Sequence, residues 1–123
     1  MPDIWKNMSP VVVDKAASYT VVPEDLGKVF VSTAAATFTL PPVADVWNGW
    51  NAYFVCGANT NLVVSAPAGK LVTFNDIAAN SVAFSTTSEK VGGAFEMVYD
   101  LALTKYLVFV HAPGVAQTVT YTT

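Results

Sequence analysis

The side chains of this chain that could carry catalysis are few and scattered. His111 is the sole histidine and Cys56 the sole cysteine. Nucleophilic catalysis needs a serine, a base and an acid held together, and no Gly-x-Ser-x-Gly elbow or other local frame assembles them around His111. Zinc needs several His, Cys or carboxylate ligands at close spacing, and calcium needs an Asp-rich loop; neither pattern occurs. Gly69-Lys70 matches a phosphate loop only at its end, because Val64 stands where the first glycine belongs and Leu71 where the Ser or Thr belongs. Glu24, Asp25, Asp45, Asp76, Glu89, Glu96 and Asp100 could in principle supply the paired carboxylates of glycoside hydrolysis. All but one fall in turn-like or exposed-looking positions, where a solvated charge is the expected role. The sequence therefore predicts no enzyme: no catalytic residue, no metal and no cofactor.

The sharpest ligand candidate is aromatic. Trp47, Trp50 and Tyr53 lie three residues apart, and rings so placed could stack on sugar faces as a glycan platform. The competing reading, which the apolar neighbours Val46 and Ala52 favour, is that Trp47 and Trp50 plug one end of a sheet where Pro41-Pro42 enters it. Cys56 closes the apolar run Ala52 to Cys56, as expected of a buried structural thiol.

Composition says more than any motif. Only six lysines and nine acidic residues, with no arginine, are spread over 123 residues, while 53% are hydrophobic. A soluble domain carries roughly 25% charge, about twice this share. A folded monomer of this mass exposes on the order of 6,300 Å², or one formal charge per roughly 420 Å². Large uncharged patches mark interfaces, so the chain reads as a subunit of an assembly. With a net charge of −3 and scattered lysines, it offers no basic stripe for nucleic acid. No membrane span is expected: the uncharged stretch Val46 to Gly69 is broken by Asn48, Gly49, Asn51, Gly57, Asn59, Asn61 and Pro67. Met1 to Lys15 shows no apolar run of signal-peptide length, so export by that route is not expected.

The elements that would position these residues are strands. Val and Thr supply 33 residues, and β-branched side chains suit a half-buried sheet surface. Thr37 to Leu40 and Phe95 to Asp100 alternate polar and apolar. Lys28–Ser32, Ala52–Cys56, Asn61–Ser65, Ser81–Ser85, Tyr106–His111 and Thr118–Thr122 are short runs bounded by turn residues. A spacing of about ten residues predicts an all-β domain, a single antiparallel β-sandwich or small β-barrel, over 18–123. Phe30, Phe38, Leu40, Phe54, Val55, Val63, Phe95 and Val108 are the expected core, and Pro41 to Trp47 the expected helical turn. Residues 1–17 read as an extended arm. Its Pro2, Ile4, Trp5, Met8, Pro10, Val11, Val12 and Val13 are expected to dock on a neighbouring subunit in preference to their own domain, with Trp5 as anchor.

Tyr19-Thr20-Val21-Val22, Asp25 to Val31, Ala35 to Pro41, Tyr53-Phe54-Val55 and the Asn59 to Val64 turn and strand follow one another in an order that resembles the β-rich structural proteins of tailed bacteriophages. Over about residues 19–110 the chain resembles capsid decoration (cement) proteins and tail-fibre domains. The later hairpin departs from that pattern: Asp100 to Tyr106 replaces an Asp-Gly turn before a Trp. A chain of this size, without a repetitive shaft, favours decoration. The resemblance implies a homotrimer on the outer surface of the virion capsid, made in the host cytoplasm, with the major capsid protein and its own copies as partners. The alternative is a tail-fibre or receptor- and glycan-binding module using Trp47, Trp50 and Tyr53.

Overall fold

A computed structural model of the chain describes residues 10–73, 76–85, 90–111 and 119–122. The fold is β-rich. Its strands are β1 Val12–Lys15, β2 Tyr19–Thr20, β3 Val29–Ser32, β4 Ala36–Thr39, β5 Asn51–Cys56, β6 Leu62–Ser65, β7 Leu71–Thr73, β8 Asp76–Ala79, β9 Ser81–Phe84, β10 Ala94–Asp100, β11 Lys105–His111 and β12 Val119–Thr122. Two 3₁₀ turns, Pro23–Asp25 and Val43–Asp45, interrupt them; the second lies inside the expected Pro41 to Trp47 turn. The first begins on Pro23, whose fixed φ suits the first helical residue and which needs no hydrogen-bond donor there; the second follows Pro42, which stands at its N-cap.

The strands form two sheets, one of seven in the order β1-β3-β5-β10-β11-β7-β8 and one of five in the order β12-β9-β6-β4-β2. Through β6 the chain alternates between them. It lays β1, β3 and β5 side by side in the larger sheet and β2, β4 and β6 in the smaller, and every one of these neighbours is parallel. Each strand is thus the crossover of the pair in the opposite sheet, which satisfies the need of parallel strands for a long connection without a helix. From β9 onward the added pairs are mainly antiparallel: β9 beside β6, β12 beside β9, and the β10–β11 hairpin, which joins β5 on one side and β7 on the other.

This corrects the antiparallel expectation. Period-two patterning tells which face a side chain takes and nothing of the direction of the next strand; here Thr33 to Ala35, between β3 and β4, carries the chain across to the other sheet. The structure also differs at the start of the chain. Val12–Lys15, expected in an extended arm docked on a neighbouring subunit, is the edge strand of the chain's own larger sheet, with the Val29 and Thr33 amides donating to the Val11 and Lys15 carbonyls at 2.8 and 2.9 Å. Val13 packs against the core and Val12 faces out. Pro2, Ile4, Trp5 and Met8 lie outside the described residues.

The inward faces of both sheets meet in one core. Phe30 and Phe54 from the larger sheet close on Phe38 from the smaller, with ring centroids 5.2–5.6 Å apart. Phe84 stacks on Phe95 at 4.2 Å. Leu40 is buried beside them and Val108 packs partly buried against the core, as expected. Val55 and Val63 do not belong: each lies one position out of phase with its buried neighbours, Phe54 and Cys56 for the first, Leu62 and Val64 for the second, and so takes the opposite face. One glycine is dictated by packing. The Gly57 amide donates to the Ser32 carbonyl at 2.9 Å, and a Cβ there would stand 2.6 Å from Val31 Cγ1 and 2.9 Å from the same carbonyl oxygen.

Candidate interaction surface

The two outward faces have different chemistry. On the smaller sheet, Thr20, Thr39, Ser65 and Ser81 form one cross-strand row, and Thr37, Val63 and Ala83 another. Hydroxyls and small side chains dominate there, a surface that water can cover. On the larger sheet the registers build three rows. The central one runs Val12, Val29, Tyr53, Glu96, Phe109 across five strands. Beside it runs Asp14, Val31, Val55, Ala94, His111, and on the other side Asn51, Val98, Leu107, Val72. Ten of these fourteen positions are apolar. Val12 is 62% exposed, Phe109 47% and Tyr53 36%, so this is an accessible face and not a second core. Between β7 and β11 it dips into a shallow cavity of about 310 Å³ lined by Val72, Thr73, Leu107, Val108 and Phe109.

The expected aromatic platform does not assemble. Trp50 is fully buried: it points into the core, its ring edge-on to Tyr106 at 6.0 Å and its indole N–H donating to the Pro23 carbonyl at 2.9 Å. Trp47 is half exposed in the preceding loop, and Tyr53 lies on the outer face of β5. The parity of β5 explains the split, because Ala52, Phe54 and Cys56 face in and Tyr53 must face out. Of the two alternatives, the plug describes Trp50 alone. It closes one end of the core together with Tyr106, whose hydroxyl donates to the Pro41 carbonyl at 2.6 Å and whose pKa burial pushes above the ordinary tyrosine range.

The one elaborate polar cluster is structural. Asp25, 2% exposed, accepts from Lys28 Nζ at 2.7 Å, Tyr19 Oη at 2.9 Å and the Val22 amide at 3.0 Å. Lys15 sits over the Tyr19 ring, 4.1 Å from its centroid. Burial alone would raise the Asp25 pKa; the three donors outweigh it and hold the carboxyl below its usual value. These groups fix the 3₁₀ turn at Pro23–Asp25 against the sheet and leave no carboxylate lone pair aimed at a ligand. Cys56 is also buried, its Sγ 3.1 and 3.3 Å from the Ala58 and Thr60 carbonyls. Among the described residues no three His, Cys, Asp or Glu side chains gather as a metal site.

The outer-face residues that pattern reasoning did not bring together are Glu96, weighed there only as one of the carboxylates of glycoside hydrolysis, and Phe109, together with the valines around them. A signal exists: Tyr106 to Val110 is apolar at five successive positions, which marks a strand with both faces apolar. No protein-family model matches this chain, and no curated protein matches it by sequence.

Proposed function

We propose that this chain is a structural subunit, a capsid decoration protein of a tailed bacteriophage, whose two sheets pack as a sandwich and whose larger sheet turns its outer face to the assembly. The observation that carries this reading is that face: three rows of mainly apolar side chains on a chain with six lysines, nine acids and no arginine. Apolar surface left in water costs roughly 25 cal/mol per Å², so its burial supplies the attachment energy. Five strand spacings by two row spacings, with a side-chain margin, amount to on the order of 500 Å² per copy. That is close to the lower limit for a specific interface and suits a protein held at several points, as a homotrimer would be. Such a protein does no chemistry. It binds the assembled lattice and not its free subunits, and so stabilises the lattice by mass action. The residues ahead of β1 add a second attachment, with Trp5 as its anchor and Pro2, Ile4, Met8 and Pro10 around it.

The test is stoichiometry and rebinding. Quantitative mass spectrometry of purified particles should find hundreds of copies, on the outer capsid surface. Stripped shells should take up added protein that free major capsid protein does not bind. A handful of copies confined to the tail would transfer the chain to a fibre role, and absence from particles would end the proposal. The glycan-binding alternative has lost Trp50 to the core, and no specific observation favours it.

A further inference from the structure

Near the centre of the larger sheet's outer face stands a carboxylate, Glu96. Glu96 lies directly between Tyr53 on β5 and Phe109 on β11. Directly opposed residues on one face of an antiparallel pair hold their Cβ atoms about 4.5–5.5 Å apart, so both rings flank the carboxylate. The neighbouring Glu96 carboxylate raises the Tyr53 pKa above its ordinary value. Val29 and Val12 continue the row on one side, and no cation stands in it. The described lysines near this side of the molecule are engaged elsewhere: Lys28 with Asp25, Lys15 over Tyr19 and Lys105 with the Ile77 carbonyl. Two further acids and one lysine lie on the described part of this face: Asp100 and Lys105 oppose each other at the hairpin end, and Asp14 stands on the edge strand in the neighbouring row.

A carboxylate set among apolar side chains is costly to cover with an apolar surface, because desolvation without a partner leaves it uncompensated. Two copies of this chain packed face to face through the centre of the sheet would bring Glu96 against Glu96. The face therefore selects against its own copy and for a surface of complementary charge. Rings on both sides of a carboxylate offer a cation an ion pair and two π faces at once. We infer that the row Tyr53–Glu96–Phe109 is a receptor for a single arginine or lysine projecting from an otherwise apolar patch of a partner protein. On the function proposed above, that partner is the shell protein. The cation fixes the register of docking, and the surrounding valines supply the buried area.

The probes are two peptides, acetyl-Leu-Arg-Leu-amide and its uncharged isostere acetyl-Leu-citrulline-Leu-amide, titrated into the full chain and followed by NMR. The arginine peptide should shift the ring signals of Tyr53 and Phe109 and bind about threefold to tenfold more tightly than the citrulline peptide at low salt. Its advantage should shrink as salt is raised, and Glu96→Gln should bring the two peptides level. Equal binding of the two peptides to the wild-type chain, an arginine preference that survives Glu96→Gln, or shifts confined to other surfaces would overturn the assignment. Sedimentation equilibrium covers the remaining occupant: self-association abolished by Glu96→Arg would give the face to a second copy and also overturn it. Shells that bind the Glu96→Gln protein at wild-type strength would refute this receptor while leaving the decoration role intact, whereas absence of the chain from particles would refute that role and leave the peptide result standing.

Discussion

Among the described residues Asp25 is the carboxylate that the fold couples to acid stability. Asp25 is almost wholly buried and carries three donors, so its folded pKa lies below the unfolded value of about 3.9. The stability this lends is complete above that unfolded value and is lost as pH falls from there through the folded pKa. Of the three donors Lys28 lowers the pKa most, ahead of the Val22 amide and the Tyr19 hydroxyl, but it is about one-third exposed, so solvent screening reduces what its charge adds to stability. Asp25→Asn should cost about 1.5–3 kcal/mol at pH 7, the range for hydrogen bonds to a charged group. Urea midpoints measured from pH 7 to pH 2 should fall below pH 4 for the wild-type chain and stay flatter for the variant. Parallel curves would show that other carboxylates govern the acid limb. Lys28 and Tyr19 are shifted the opposite way, both upward, so what they add is present below pH 10 and lost above it.

At the level of the element, the tightest test is the contact between β3 and the residue that follows β5. Gly57→Ala drives a methyl group to 2.6 Å from Val31 Cγ1 and 2.9 Å from the Ser32 carbonyl oxygen, and the backbone atom cannot step aside. An overpacking cost of about 1–3 kcal/mol should follow, read as a lowered urea midpoint with an unchanged slope. A neutral result would mean that β3 and β5 slide past one another freely. The same elements show what was legible beforehand. Phe30, Phe38, Phe54 and Phe95 announce the core, since each alternates with more polar or smaller neighbours on a short strand. Val55 and Val63 mislead because β5 and β6 are apolar on both faces, and hydropathy alone cannot then choose a parity. Strands β7 and β8, only three and four residues long, carry too few positions for a period to emerge. The outer-face row containing Glu96 was hidden for a further reason: its members come from five strands, and only the register unites them.

Across the whole molecule, the contrast between a hydroxyl-bearing sheet and an apolar one gives the protein two sides. A hydrophobic dye such as ANS should bind the larger sheet, and Phe109→Lys should weaken that binding at least twofold while far-UV circular dichroism stays the same, because Phe109 is 47% exposed and supports no core packing. Thr39→Lys, on the exposed face of the smaller sheet, should leave dye binding unchanged. Equal loss in both variants would show that the dye does not discriminate between the sheets. The insertion of β10 and β11 between β5 and β7 also bears on how the polypeptide emerges from the ribosome. β10 begins 38 positions after β5 ends, so a nascent chain carries β5 with one edge bare for about 2–8 s of translation. An unpaired apolar edge is a template for aggregation. Synthesis of this protein should therefore depend on a holding chaperone during that interval, and a messenger stalled at codon 93 should yield insoluble product where one stalled past codon 111 does not.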